Sequence, residues 1–128
     1  MKKTLILFLA LFAFTISGIS QETTDSLKNE LKYAKDEEQI GILNELSKLN
    51  FRLDPDNALY YSKEALMLSQ KYDDKESIAV SYFNMATSYR FMSKLDSALF
   101  YYRMSLYICY ELEDHANIAS RLGNMGYI

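Results

Sequence analysis

Residues 56–88 read DNALYYSKEALMLSQKYDDKESIAVSYFNMATS, and residues 96–128 read DSALFYYRMSLYICYELEDHANIASRLGNMGYI. Laid over one another at an offset of 40, with no gap, ten of the 33 pairs are identical. They are Asp56/Asp96, Ala58/Ala98, Leu59/Leu99, Tyr61/Tyr101, Leu66/Leu106, Asp74/Asp114, Ile78/Ile118, Ala79/Ala119, Asn84/Asn124 and Met85/Met125. Tyr60/Phe100, Lys63/Arg103 and Leu68/Ile108 are conservative. The same offset reaches weakly upstream, where Asn44 falls under Asn84 and Phe51 under Phe91. A duplicated supersecondary unit accounts for this pattern, and such a unit buries its apolar face only by stacking on a neighbour.

Each unit reads as two helices. Asp74 is an N-cap for a helix running to about Phe91, with Ile78, Tyr82, Met85, Ala86 and Tyr89 as its apolar stripe at spacings of three and four. A turn at Met92–Lys94 follows. A second helix starts near Leu95 or Asp96 and runs to about Leu112, carrying Ala98, Leu99, Tyr102, Leu106 and Cys109. One unit earlier, Asp54 caps a helix and Pro55 takes its first position, where a missing N–H costs nothing. Asp36 followed by Gln39 resembles a capping box for a helix through Phe51. Thr24–Ala34 reads as an extra leading helix. The expected organisation is a leader over 1–20, a leading helix within 21–35, and units over 36–73, 74–113 and 114–128, the last one partial.

Four glycines and one proline are too few for an all-β chain with a turn every ten residues or so. The eleven tyrosines and seven phenylalanines supply large apolar plates. Their helical spacing predicts a role in the core and between repeats. The formal charge is −3; setting Lys2 and Lys3 aside with the leader leaves 12 basic against 17 acidic residues, or −5. No basic cluster is present, so the counterion-releasing patch of a nucleic-acid binder is missing.

Met1-Lys2-Lys3 followed by the apolar run Leu5–Phe14 and by small residues at Gly18 and Ser20 has the form of a secretory signal. The apolar stretch falls short of the ~20 residues that span a bilayer, which favours cleavage over an anchor and a mature start at Gln21. No cysteine follows for lipid attachment. The expected location is periplasmic or secreted.

Tyr82-x2-Met85-Ala86-x2-Tyr89, then Ala98-x3-Tyr102-x2-Ser105, resembles the tetratricopeptide repeat, whose signature is W-x2-L-G-x2-Y and then A-x3-F. Leu122-x2-Met125-Gly126 matches the opening of a further unit. Ile42-x2-Glu45-Leu46-x2-Leu49 with Ala58 is a degenerate first one. The resemblance covers roughly 36–128. It implies an all-α solenoid of antiparallel helix hairpins, with Ala86 and Ala98 small at the helix crossing and Tyr82, Tyr89 and Tyr102 filling the space around it. The usual period is 34 residues, and here the excess is expected around Gln70–Asp74 and Tyr110–Asp114. The third unit stops at Ile128 within a first helix, so the array reads as incomplete at its C-terminus. Leu122, Met125 and Ile128 are then left for further repeats, or for self-association.

The resemblance also implies a concave groove lined by first helices. In peptide-binding members of the family an asparagine at the place of Asn44, Asn84 and Asn124 grips a peptide backbone, and an amide can donate and accept at once. The other reading is that these asparagines tie neighbouring helices together. Thr87, Arg90 and Phe91 are expected beside Asn84 on nearly the same side. The implied partner is a protein or peptide. A second class is the sensory input region of a membrane-spanning histidine kinase or transcriptional regulator, which such long-repeat arrays resemble.

Catalysis has little to work with. There is one histidine, His115, one cysteine, Cys109, and no Ser-His-Asp set, HExxH, Walker loop or GxGxxG. Cys109 stands where the previous unit has Ser69 and reads as a small buried filler. A lone histidine is a poor metal site. No enzyme activity, cofactor or metal is expected.

Overall fold

The computed structural model describes the backbone of residues 2–126 and, within it, the side chains of 2–3 and 18–126. The apolar run of the expected leader and Ile128 lie outside the described side chains. The helices are α1 (Lys2–Leu31), α2 (Asp36–Asn50), α3 (Pro55–Lys71), α4 (Lys75–Phe91), α5 (Leu95–Glu111) and α6 (His115–Gly126). Among the described residues there is no strand, and no helix is long and apolar enough to cross a membrane.

The helix ends follow from local chemistry. Asp54 Oδ1 accepts the backbone N–H of Asn57 at 3.0 Å, and Pro55 opens α3. Asp74 does the same for Ser77, and Asp114 for Asn117. Three connections share one geometry. Asp73, Ser93 and Glu113 have φ of 53°, 60° and 55°. The next residue in each case returns its N–H into the preceding helix, Asp74 to Ser69 O, Lys94 to Tyr89 O and Asp114 to Cys109 O, at 2.9–3.0 Å. This is the Schellman closure with a non-glycine residue in the left-handed position. The closing residue is also the N-cap of the next helix, so each link is as short as the geometry allows.

Two expectations about helix ends are corrected. The leading helix is not a separate Thr24–Ala34 segment; α1 runs unbroken from Lys2 to Leu31. Asp36 is not the cap of α2 but its first residue. Glu38 reaches back to the backbone N–H of Lys35 at 3.2 Å. The Asp36 carboxylate turns to the end of α3, accepting from Lys71 Nζ at 2.7 Å and from the Tyr72 hydroxyl at 2.8 Å.

Each helix packs on the next in sequence, and α2 also packs on α4. One core cluster joins Ile42, Leu43 and Leu46 of α2 to Tyr61 and Ala65 of α3, with Leu27 and Leu31 of α1 leaning on it. The other centres on Ala86, Ala98 and Tyr102, with Phe83, Tyr89, Tyr101 and Met125 around them. Ala86 and Ala98 have no exposed surface. On α3 the buried stripe is Ala58, Ser62, Ala65 and Ser69; on α5 it is Ala98, Tyr102, Ser105 and Cys109, at the same spacing of four, three and four. Small residues there let helix backbones approach. Ser47 and Ser105 use that closeness to donate to the carbonyls of Ala58 and Ala79, at 2.8 and 2.6 Å. Tyr101 lies between Tyr82 and Tyr89, with ring centroids 6.0 and 5.4 Å away.

The tyrosines are only partly a core. Tyr61 and Tyr102 are buried, and Tyr82, Tyr89 and Tyr101 are half-buried, but Tyr33, Tyr60, Tyr72, Tyr107 and Tyr110 are exposed. Helical spacing alone does not separate these sets. Tyr60 and Tyr61 are neighbours in sequence, and a turn of 100° sends them to different faces.

Candidate functional site

The sequence candidates divide between two faces of α4. At about 100° per residue, Phe83, Thr87, Arg90 and Phe91 fall on one face, and Ser81, Asn84 and Ser88 on another roughly 100° away. The second face meets α2. Asn84 is fully buried, and its Nδ2 donates to Asn44 Oδ1 at 2.9 Å. Asn44 is buried as well. The two amides tie α2 to α4, and neither lines the cleft that opens on the first face. Asn124 differs again. It is half-buried, and its Nδ2 donates to Ser120 O in its own helix at 2.8 Å.

The first face opens on a cleft of about 550 Å³. One wall is the end of α2 and its turn into α3, with Lys48, Leu49, Phe51, Arg52 and Leu53. The other is Phe83, Thr87, Arg90 and Phe91 of α4, and Asn124 of α6 completes it. Phe51 and Phe91 stack across the cleft, with centroids 6.3 Å apart and planes 13° from parallel. The Arg90 guanidinium lies 5.3 Å from the Phe91 ring centroid. Thr87 is fixed in place: its hydroxyl donates to Phe83 O at 3.0 Å and accepts from the buried Tyr102 hydroxyl at 3.1 Å.

Charge in the cleft has one sign. Lys48, Arg52 and Arg90 line it, and among the described residues no carboxylate does. Glu45 pairs with Lys48 at 2.7 Å from outside the lining, in an exposed ion pair that is worth little. In a chain with net charge −3, a cleft with three cations and stacked phenylalanines is a local inversion.

Beneath Phe83 sits Arg121, which the sequence reading passed over. It is 5 % exposed, donates from Nε to Ser105 Oγ at 3.2 Å and from Nη1 to Asn117 Oδ1 at 2.8 Å, and lies 4.1 Å from the Phe83 ring centroid. Burial pushes its pKa down, against the opposing pull of Cys109 and Asp114. The Cys109 thiol is pushed up by burial. It is a buried filler beside Arg121, poor in thiolate.

A larger cleft, about 650 Å³, lies between α1 and α2 with Ser26, Asn29, Glu30, Tyr33 and Glu38 along it. It contains none of the candidate residues. Among the described residues no three His, Cys, Asp or Glu side chains gather as they would around a metal ion.

The α2 side of the cleft has one signal in the sequence: Phe51 falls under Phe91 at the offset of 40, and these are the two rings that stack. No protein-family profile matches the chain, and no curated protein is similar to it.

Proposed function

We propose that the chain is an exported, non-catalytic scaffold of tetratricopeptide type that holds a peptide segment in the cleft between the α2–α3 turn and α4. The segment it fits carries carboxylates beside aromatic or large aliphatic side chains. The observation that carries this reading is the Phe51–Phe91 stack ringed by Lys48, Arg52 and Arg90, with no carboxylate among the described lining residues. Stacked rings offer a flat apolar seat for a side chain. Cations around a partly apolar floor attract carboxylates and steer their approach. The offset of 40, the two helices per unit and the small residues at the crossing support the solenoid. The apolar run and the small residues at Gly18 and Ser20 support export.

The test uses two fluorescein-labelled decapeptides, one alternating Glu with Phe and Leu, the other Lys with Phe and Leu. Fluorescence anisotropy should show saturable binding of the acidic peptide, weakening as salt rises, and none of the basic one. Equal binding of both, or of neither, would overturn the assignment of ligand class.

A further inference from the structure

We propose that α3 and α5 pair with the same helices of a second copy, giving a two-fold dimer through a face that takes no part in the cleft. The observation is a second stripe on each of these helices, two positions out of phase with the buried one. On α5 it reads Asp96, Phe100, Arg103 and Tyr107, at steps of four, three and four, and every one of these residues is exposed. On α3, 40 positions earlier, Asp56, Tyr60, Lys63 and Met67 repeat the order and are exposed too. Both stripes run acid, aromatic, base, large apolar. Tyr60, Met67, Phe100 and Tyr107 are between 56 % and 64 % exposed. For large side chains repeated in register this is an interaction surface, not the scatter of single apolar residues normal on a surface.

The order of charges selects the occupant. Among the described residues the ion pairs are Lys48–Glu45 and Lys71–Asp36, and Asp56, Lys63, Asp96 and Arg103 have no ion-pair partner among those residues. Seven residues separate acid from base along each helix, too far to meet one another. Set two copies of α5 face to face and antiparallel, with Phe100 stacked on the partner's Phe100. Asp96 then lies across from the partner's Arg103, and Arg103 across from the partner's Asp96. On α3 the same arrangement stacks Tyr60 on its counterpart and sets Asp56 against the partner's Lys63. On α5 a two-fold axis perpendicular to the helix near Phe100 brings these pairs together, and the same order of residues on α3 allows the equivalent pairing there. A surface that is its own complement under a two-fold rotation is what an isologous dimer requires. A parallel arrangement would instead oppose like charges. α5 packs on α4 and α3 on α2, and on each the outer stripe lies two positions out of phase with the buried one. None of the eight residues lines the cleft, so failure of this proposal and failure of the peptide assignment are separable.

Charge reversal tests the pairing. Mass by light scattering over a concentration series should show the wild-type chain moving from monomer to dimer, and added salt should oppose it. Arg103→Asp and Asp96→Arg should each weaken the dimer by about tenfold or more, since like charges then face each other. The double variant Asp96→Arg with Arg103→Asp should restore it, because the swapped pair still meets across the axis. Asp96 lies in the first turn of α5, so Lys63→Asp on α3 gives an independent reading, and circular dichroism confirms that each variant keeps its helices. A wild-type chain that stays monomeric overturns the proposal. So does a dimer indifferent to Arg103→Asp and Lys63→Asp, or a folded double variant that fails to recover.

Discussion

The side-chain amide of Asn84 donates to Oδ1 of Asn44 at 2.9 Å, linking α4 to α2 across 40 positions of sequence. Both residues are buried, and Asn84 Oδ1 has no partner among the described residues. Asn44→Ala removes the 2.9 Å side-chain acceptor and leaves the buried Asn84 amide only the long 3.5 Å bond to the carbonyl of residue 44. The expected loss is about 1–3 kcal/mol in urea denaturation. Asn124→Ala, whose amide only bonds back to its own helix near the surface, should change stability by no more than about 0.5 kcal/mol. Equal losses for the two would mean that the tie does not hold α2 to α4.

Ala98 is fully buried against Ala86 and Tyr102 where α5 packs on α4. Ala98→Leu is expected to overpack this crossing and cost about 1–3 kcal/mol. Tyr102→Phe keeps the ring and removes the hydroxyl that bonds Thr87. That change should cost about 1 kcal/mol, the size of one hydrogen bond. Thermal melts of both variants check the pair. A neutral Ala98→Leu would place the crossing elsewhere.

Ser93 and Glu113 hold positive φ without being glycine. Ser93→Gly and Glu113→Gly should therefore raise stability, each by about 0.5–1 kcal/mol, because the left-handed conformation strains a residue with a Cβ. The gain should appear as a higher urea midpoint at unchanged slope. Destabilisation by both changes would contradict the Schellman closures.

Acid should loosen α6. The side chain and backbone N–H of Asn117 both donate to Asp114 and hold its carboxyl below the ordinary carboxylate value. A carboxyl depressed in the folded state contributes stability above its unfolded value and loses it as pH falls through the folded one. Helicity in α6, followed by amide signals at His115–Ser120, should thus decline as pH drops below the ordinary carboxylate range. In Asp114→Ala that decline should be shallower. An identical acid limb in the variant would remove Asp114 as its cause.

Much of the helical plan could be read from residues. Asp54 with Pro55, Asp74 and the turn at Met92–Lys94 carry their geometry locally, through caps and backbone closure. The face each residue presents was harder. Asn84 and Thr87 are three apart, a spacing that puts them on nearly one side, yet the first is spent on α2 and the second is turned toward the cleft. Which face of α4 meets α2 depends on how hairpins stack, and nothing local encodes that. Tyr60 and Tyr107 look like core residues for the same reason. Arg121 was invisible because it stands where the preceding unit has Ser81. A long cation replacing a small hydroxyl finds its place only through partners, Ser105, Asn117 and Phe83, that lie on three different helices.

On the proposed function, the cleft takes an acidic, apolar peptide through Arg90 and the Phe51–Phe91 stack. The most direct measurement is anisotropy with Arg90→Glu and Phe91→Ala, each checked by denaturation to be folded, against the acidic and the basic decapeptide. Arg90 and Phe91 are at the end of α4 and partly exposed, so stability should hold. Arg90→Glu should weaken the acidic peptide about tenfold or more and improve the basic one, and Phe91→Ala should weaken the acidic peptide without reversing the preference. Binding of the acidic peptide that is unchanged in both folded variants would contradict it.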